Sequence, residues 1–224
     1  MNFLSHFYFD RDASNPELVL GCVLPDLVKN ANKAWNIHPE KKIHLFEGSD
    51  KMQSILTGWQ RHLEVDRYFH TSSFFMEHTQ AIRNLVAPIL EDSEVRPSFL
   101  AHISLELMLD SLLLTLKEIN AFHFYDQLAK VERSTVKHFL ELNMVNDTGR
   151  FFRFFDQFLE VNYLHSYSES KNLIYALNRI CMRIWADPLN NEQKLQLDVV
   201  LLDYQKQLES CYMDIFYDLD RRLN

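Results

Sequence analysis

The chain has 224 residues, 47% of them hydrophobic, with a formal net charge of −8 and a pI near 5.7. That length and apolar content suit one domain with a sizeable core, and the acidic balance argues against a broad nucleic-acid or anionic-membrane surface. Four glycines and six prolines are too few for a turn-rich β architecture, and three widely spaced cysteines without CxxC spacing fit a reducing compartment better than a disulfide framework.

Apolar residues recur at helical period from end to end. The opening `MNFLSHFYF` lacks the basic start of a signal peptide. A helix opened near Asn15-Pro16 follows, and Pro25 is expected to kink or end it just before Asp26. Residues 31–49 read as a polar, irregular loop. Helices are then predicted from about Ser49 to His70 and from Ser72 to about Leu90. Pro97 opens the next one, which carries `FLAHISLELMLDSLLLTLKE`. Its most apolar run, `LELMLDSLLLTL`, is short for a bilayer span and holds two acids. Further helices are predicted near 121–131, 133–143, 148–165 and from Ser168 to Ala186. One last long helix is predicted over about 191–222. With no repeat, low-complexity stretch or evident boundary, the expectation is a single all-α domain over residues 1–224, in the cytoplasm.

Two of these helices carry unusual stripes. His62, Asp66 and His70 stand at four-residue intervals, with Gly58 continuing the row, and His102, Glu106 and Asp110 repeat the spacing. Residues at i, i+4 and i+8 share one helix face. Their neighbours Leu63, Val65, Phe69, Leu105, Leu107 and Leu109 make the surroundings apolar. Imidazoles and carboxylates buried there are costly unless something neutralises them. A divalent ion would do so, and a nitrogen and oxygen donor set without thiolate favours Mn, Fe or Mg. The plainer reading is an i,i+4 surface ion pair, common wherever a histidine precedes an aspartate by four. His6, crowded by apolar residues, and Asp26, behind Pro25, join the candidates; singly they read as a core histidine and a turn residue.

The ordered segments `MNFLSHFYF`, `GCVLPDLVKN` and `GWQRHLEVD`, followed by the apolar helix with Glu106 and Asp110 and by `YLHSYSESKNLIYALNRICMR`, resemble the acyl carrier protein phosphodiesterase family. Matching positions are His6 with Ser5 beside it; Gly21, Asp26, Val28 and Lys29; Gly58, His62, Asp66 and Tyr68; then Tyr163, Leu164, Tyr167, Leu177 and Arg183. The likeness covers about residues 1–185 and leaves the last helix without a counterpart. It implies a helical bundle related to the HD-domain metal phosphohydrolases. It also implies metal-dependent hydrolysis of 4′-phosphopantetheine from holo acyl carrier protein, within fatty acid biosynthesis. On that reading His6, Asp26, His62, Asp66 and Asp110 hold the metal. Asp26, Glu106, His70 and His102 serve the chemistry, and Arg183 meets a phosphate oxygen. Lys29, Lys33, Lys41, Lys42, Arg61 and Arg67 would meet the acids of the carrier. The chain departs from the family pattern at Leu63, Phe69, His70, Glu106 and Ser111. Those departures keep two alternatives open: a catalytically weakened helical binding protein of the same fold, and an HD-like phosphohydrolase acting on another phosphoester.

Overall fold

The computed structural model describes residues 1–223, with the backbone alone at Ser170 and Lys171. It is all-helical, with no strand among the described residues. The helices are α1 (Phe3–Tyr8), α2 (Pro16–Ala31), α3 (Asp50–Thr71), α4 (Ser73–Val86), α5 (Pro97–Thr115), α6 (Ala121–Ala129), α7 (Arg133–Leu142), α8 (Thr148–Val161), α9 (Ser170–Cys181), α10 (Asn191–Leu208) and α11 (Tyr212–Leu223). The chain divides into two compact units: residues 1–5, 67–118 and from 166 onward form the first, and 6–66 with 119–165 the second.

In the first unit α5 packs against α4 and α9, and α10 against α4 and α9. Leucines and a methionine on every side of α5, from Leu100 to Leu113, are buried, as expected for a helix that is apolar all round. At 19 residues α5 as a whole reaches the length and hydropathy of a membrane span, although the `LELMLDSLLLTL` run inside it does not; 67% of that window is buried within the fold. Where one helix was expected over 191–222, two are found. The hydroxyl of Ser210 donates to the Gln207 carbonyl, and the amides of Ser210 and Cys211 take three-residue bonds to Gln207 and Leu208. A serine that competes for backbone acceptors breaks the helical ladder at this point.

In the second unit α2 packs on α6 and α8, and α8 also on α6 and α7. Asn15 opens α2 by accepting from the amides of Glu17 and Leu18, and the guanidinium of Arg150 donates to the Ala31 carbonyl at its far end. Pro25 neither ends nor interrupts α2, which runs on for six residues past it. The carbonyl that the missing Pro25 amide would have bonded belongs to Gly21, and Gly21 lies against α3. A Cβ on Gly21 would collide with the Ile55 carbonyl, and one on Gly58 with the Leu18 carbonyl. The two glycines let α2 and α3 touch backbone to backbone. The expected loop at 31–49 holds two short 3₁₀ turns, Pro39–Lys41 and Ile43–Phe46. It is pinned by Phe46, whose ring stacks on Phe139 at 4.7 Å. Phe7 against Phe124, at 5.1 Å, extends this aromatic core; each buried ring of this size contributes about 1.5–3 kcal/mol.

Candidate metal centres

His6 on α1 and His62 and Asp66 on α3 come together, their donor atoms within 4.8 Å of one another. The close approach of α2 and α3 at the glycine pair brings the Cys22 carbonyl within 2.8 Å of His62 Nδ1. A carbonyl only accepts, so Nδ1 is the donor in that bond and Nε2 is the nitrogen left for another partner. Nε2 is 3.6 Å from Asp66 Oδ2. The His6 and His62 rings stack with centroids 3.7 Å apart and planes 15° from parallel. His6 Nε2 is 3.2 Å from Asp66 Oδ1, yet neither buried His6 nitrogen has an aligned hydrogen-bond partner. Both imidazoles are buried, whereas the Asp66 side chain keeps 34% of its surface exposed.

Burial, with the His62 ring adding to it, pushes the His6 imidazole down to about 3, so His6 is neutral. Burial alone would push Asp66 up; its contact with His6 outweighs that, with smaller help from more distant charge, and the carboxyl is held well below the usual carboxylate range. Two imidazoles beside an ionised carboxylate form a donor set that suits a divalent ion. The orphaned nitrogens of His6 are the polar atoms such an ion would satisfy.

A second group gathers His70, at the end of α3, with His102 and Glu106 of α5. His70 Nε2 is 3.1 Å from His102 Nε2 and 3.3 Å from Glu106 Oε1, and His102 Nε2 is 3.0 Å from that same oxygen. The Met1 nitrogen also approaches Oε1, at 3.0 Å. Burial pushes Glu106 up, but the Met1 amino group and the hydrogen bonds of His102 and His70 outweigh it and hold the carboxyl well below its ordinary range. Each of the two groups could hold a metal ion.

Asp110, expected as a ligand beside His62 and Asp66, belongs to neither group. Its carboxylate accepts from the Leu4 amide at 3.1 Å and, through the other oxygen, from the Ser5 amide at 2.8 Å and the Ser5 hydroxyl at 2.6 Å. It caps the first turn of α1, where amides have no helical partner. Burial pushes it up to about 7 against the pull of those donors. Asp26 is half-buried on α2 and Arg183 is exposed in the turn after α9; neither belongs to the two groups. Leu63, counted among the apolar surroundings, faces solvent at 39% exposure, while Val65, Phe69, Leu105, Leu107 and Leu109 are buried.

A network beside His62 has no signature in residue spacing. Arg61 pairs with Asp10, and the Cys22 thiol donates to the other Asp10 oxygen at 2.7 Å. Burial raises both the Asp10 carboxyl and the Cys22 thiol. Arg61 is therefore engaged within the fold. Arg67 lies over the Tyr68 ring at 4.5 Å, and Lys29 bonds the Asn36 side chain at 3.2 Å. Asp10 and Cys22 stand at no helical spacing from Arg61, and only the folded chain joins them. No family model, no curated protein and no solved structure matches this chain at a significant level.

Proposed function

We propose that the protein is a metal-dependent phosphodiesterase whose ion is held by His6, His62 and Asp66. The observation that carries this reading is the His62 ring, whose Nδ1 donates to the Cys22 carbonyl while Nε2 lies 3.6 Å from an ionised carboxylate and the ring stacks on a buried His6 whose nitrogens make no aligned hydrogen bond. Such an outer hydrogen bond, which sets the tautomer and orientation of a histidine, is the usual support of a metal ligand. A bound divalent ion supplies Lewis acidity toward a phosphoryl oxygen. The chain's own part is to hold two imidazoles rigidly by burial and to present the half-exposed Asp66 face to a ligand.

The resemblance to acyl carrier protein phosphodiesterases supplies the substrate class: the phosphodiester between 4′-phosphopantetheine and a carrier serine. In that reaction water adds across the bond between phosphorus and the serine oxygen. Its hydroxyl goes to phosphorus and its proton to the serine oxygen. Two imidazoles with one carboxylate suit Fe or Mn better than Mg, and the acidic carrier would meet lysines such as Lys41 and Lys42, in the cytoplasm. Incubation of metal-loaded protein with holo carrier should show a mass loss of phosphopantetheine, slowed at high salt because charge steers the encounter. Intact carrier after incubation with the Mn-, Fe- and Mg-loaded forms would remove the substrate assignment. A second reading, a helical binding protein that keeps the ion without the activity, is favoured by Asp110. Its carboxylate is taken up by the α1 backbone and Ser5.

A further inference from the structure

We propose that His70, His102 and Glu106 form a separate site for a divalent transition-metal ion of the zinc and cobalt class, which ties the end of α3 to α5 within the first unit. This rests on the geometry of that group and is independent of the phosphodiesterase reading. Three atoms that can each offer a lone pair, two Nε2 and one Oε1, form a triangle with sides of 3.0, 3.1 and 3.3 Å. Ligands about 2.0–2.1 Å from one ion are roughly 2.9 Å apart in an octahedral arrangement and 3.4 Å apart in a tetrahedral one. The observed edges fall between those limits. An ion at bonding distance from all three corners would lie about 1 Å out of their plane, with its remaining positions open.

The surroundings hold the two rings in that pose. Phe75, in the first turn of α4, sets its edge against both imidazoles, with centroids 5.0 Å from each and planes at 77° and 81°. Phe69 packs edge-on against His70 at 5.1 Å. Without an ion, the three atoms share hydrogen bonds, each Nε2 within 3.3 Å of Glu106 Oε1 and the two Nε2 atoms 3.1 Å apart. An ion would replace those shared protons with two nitrogen lone pairs and one carboxylate oxygen directed at one centre. Oε1 keeps a second lone pair for the Met1 nitrogen. Two imidazoles with one carboxylate are a nitrogen-rich set. Such a set prefers zinc, cobalt, nickel or copper to magnesium, which favours all-oxygen ligands.

The test uses the full chain stripped with chelator and titrated with Co²⁺ followed by its visible d–d absorption, alongside Zn²⁺ followed by the melting temperature. The Asp66→Asn variant removes the carboxylate of the buried group, so the remaining signal reports this site. The expected result is one bound Co²⁺ with the intense visible bands of a low-coordinate ion, and a rise of several degrees in melting temperature with Zn²⁺ and none with Mg²⁺. Adding His102→Gln to Asp66→Asn should weaken Co²⁺ binding by about 100-fold or more, since even the loss of an outer partner costs about 10–100-fold. The metal-free melting temperature of the double variant confirms that it is folded, and His70→Gln replaces it if it is not. Absence of Co²⁺ binding by Asp66→Asn overturns the proposal. So does equally tight binding once His102, or His70 in its place, is glutamine, because the three atoms would then be a proton-sharing cluster only.

Discussion

The two histidine-carboxylate groups are built on one plan with opposite exposure. In each, a helix supplies a histidine and an acid four residues later, and a histidine from another element completes the set: His62 and Asp66 with His6, His102 and Glu106 with His70. In the first group the rings are buried and the carboxylate is 34% exposed; in the second the carboxylate is 12% exposed and the rings 31% and 39%. In the first group burial confines both rings and a backbone carbonyl orients His62, so the group could hold an ion with its half-exposed acid toward solvent. The half-exposed rings of the second group are held by a buried carboxylate and by aromatic edges rather than by a backbone carbonyl. Sequence spacing specifies the donors, and packing decides which donor faces solvent.

The largest expected effect tests the first half of that contrast. Asp66→Asn should weaken ion binding at the buried group by about 100-fold or more while leaving the helical circular dichroism unchanged; unaltered affinity by calorimetry would break the comparison. Gly58→Ala places a Cβ against the Leu18 carbonyl and should destabilise the fold by about 3 kcal/mol, the upper end for overpacking, as read by urea unfolding. Asp110→Asn leaves the donors of α1 facing an amide that cannot accept from them all, at a cost of about 1–3 kcal/mol. It should also change the pH profile. Asp110 is raised from 3.8 to about 7, so the folded chain keeps a proton that the unfolded chain has lost. That contribution to stability is complete below pH 3.8 and fades as pH rises toward 7. Denaturation midpoints across this window should show the slope in the parent and lose it in Asp110→Asn. The smallest effect is expected of Leu63→Arg at an exposed position, within about 0.5 kcal/mol; a larger loss would show that Leu63 does pack.

The helical class and most boundaries were legible because apolar periodicity, Asn15, Ser72 and Pro97 mark their own ends. The break at Ser210 was not, since the polar residues around it continue a helical pattern and only the serine's competing hydrogen bond ends it. The passage of α2 through Pro25 escaped the sequence because a proline inside a helical pattern reads as a kink or an end, and only the fold shows α2 continuing six residues beyond it. Spacing identified His62 with Asp66 and His102 with Glu106, because one helix face is a local property. It also placed Asp110 with the metal ligands, because nothing local reveals that the amides of Leu4 and Ser5 occupy its oxygens. His70 illustrates the same limit in reverse. It continues the His62 row on α3, but its partners are on α5.

Whether the buried group holds an ion is tested directly by a crystal grown with Mn²⁺ and measured at a wavelength where manganese scatters anomalously. It should give a strong anomalous peak within bonding distance, about 2.0–2.2 Å, of His6 Nε2, His62 Nε2 and an Asp66 carboxylate oxygen. Protein from such a crystal with ordered His6, His62 and Asp66 side chains and no anomalous peak among them would contradict it.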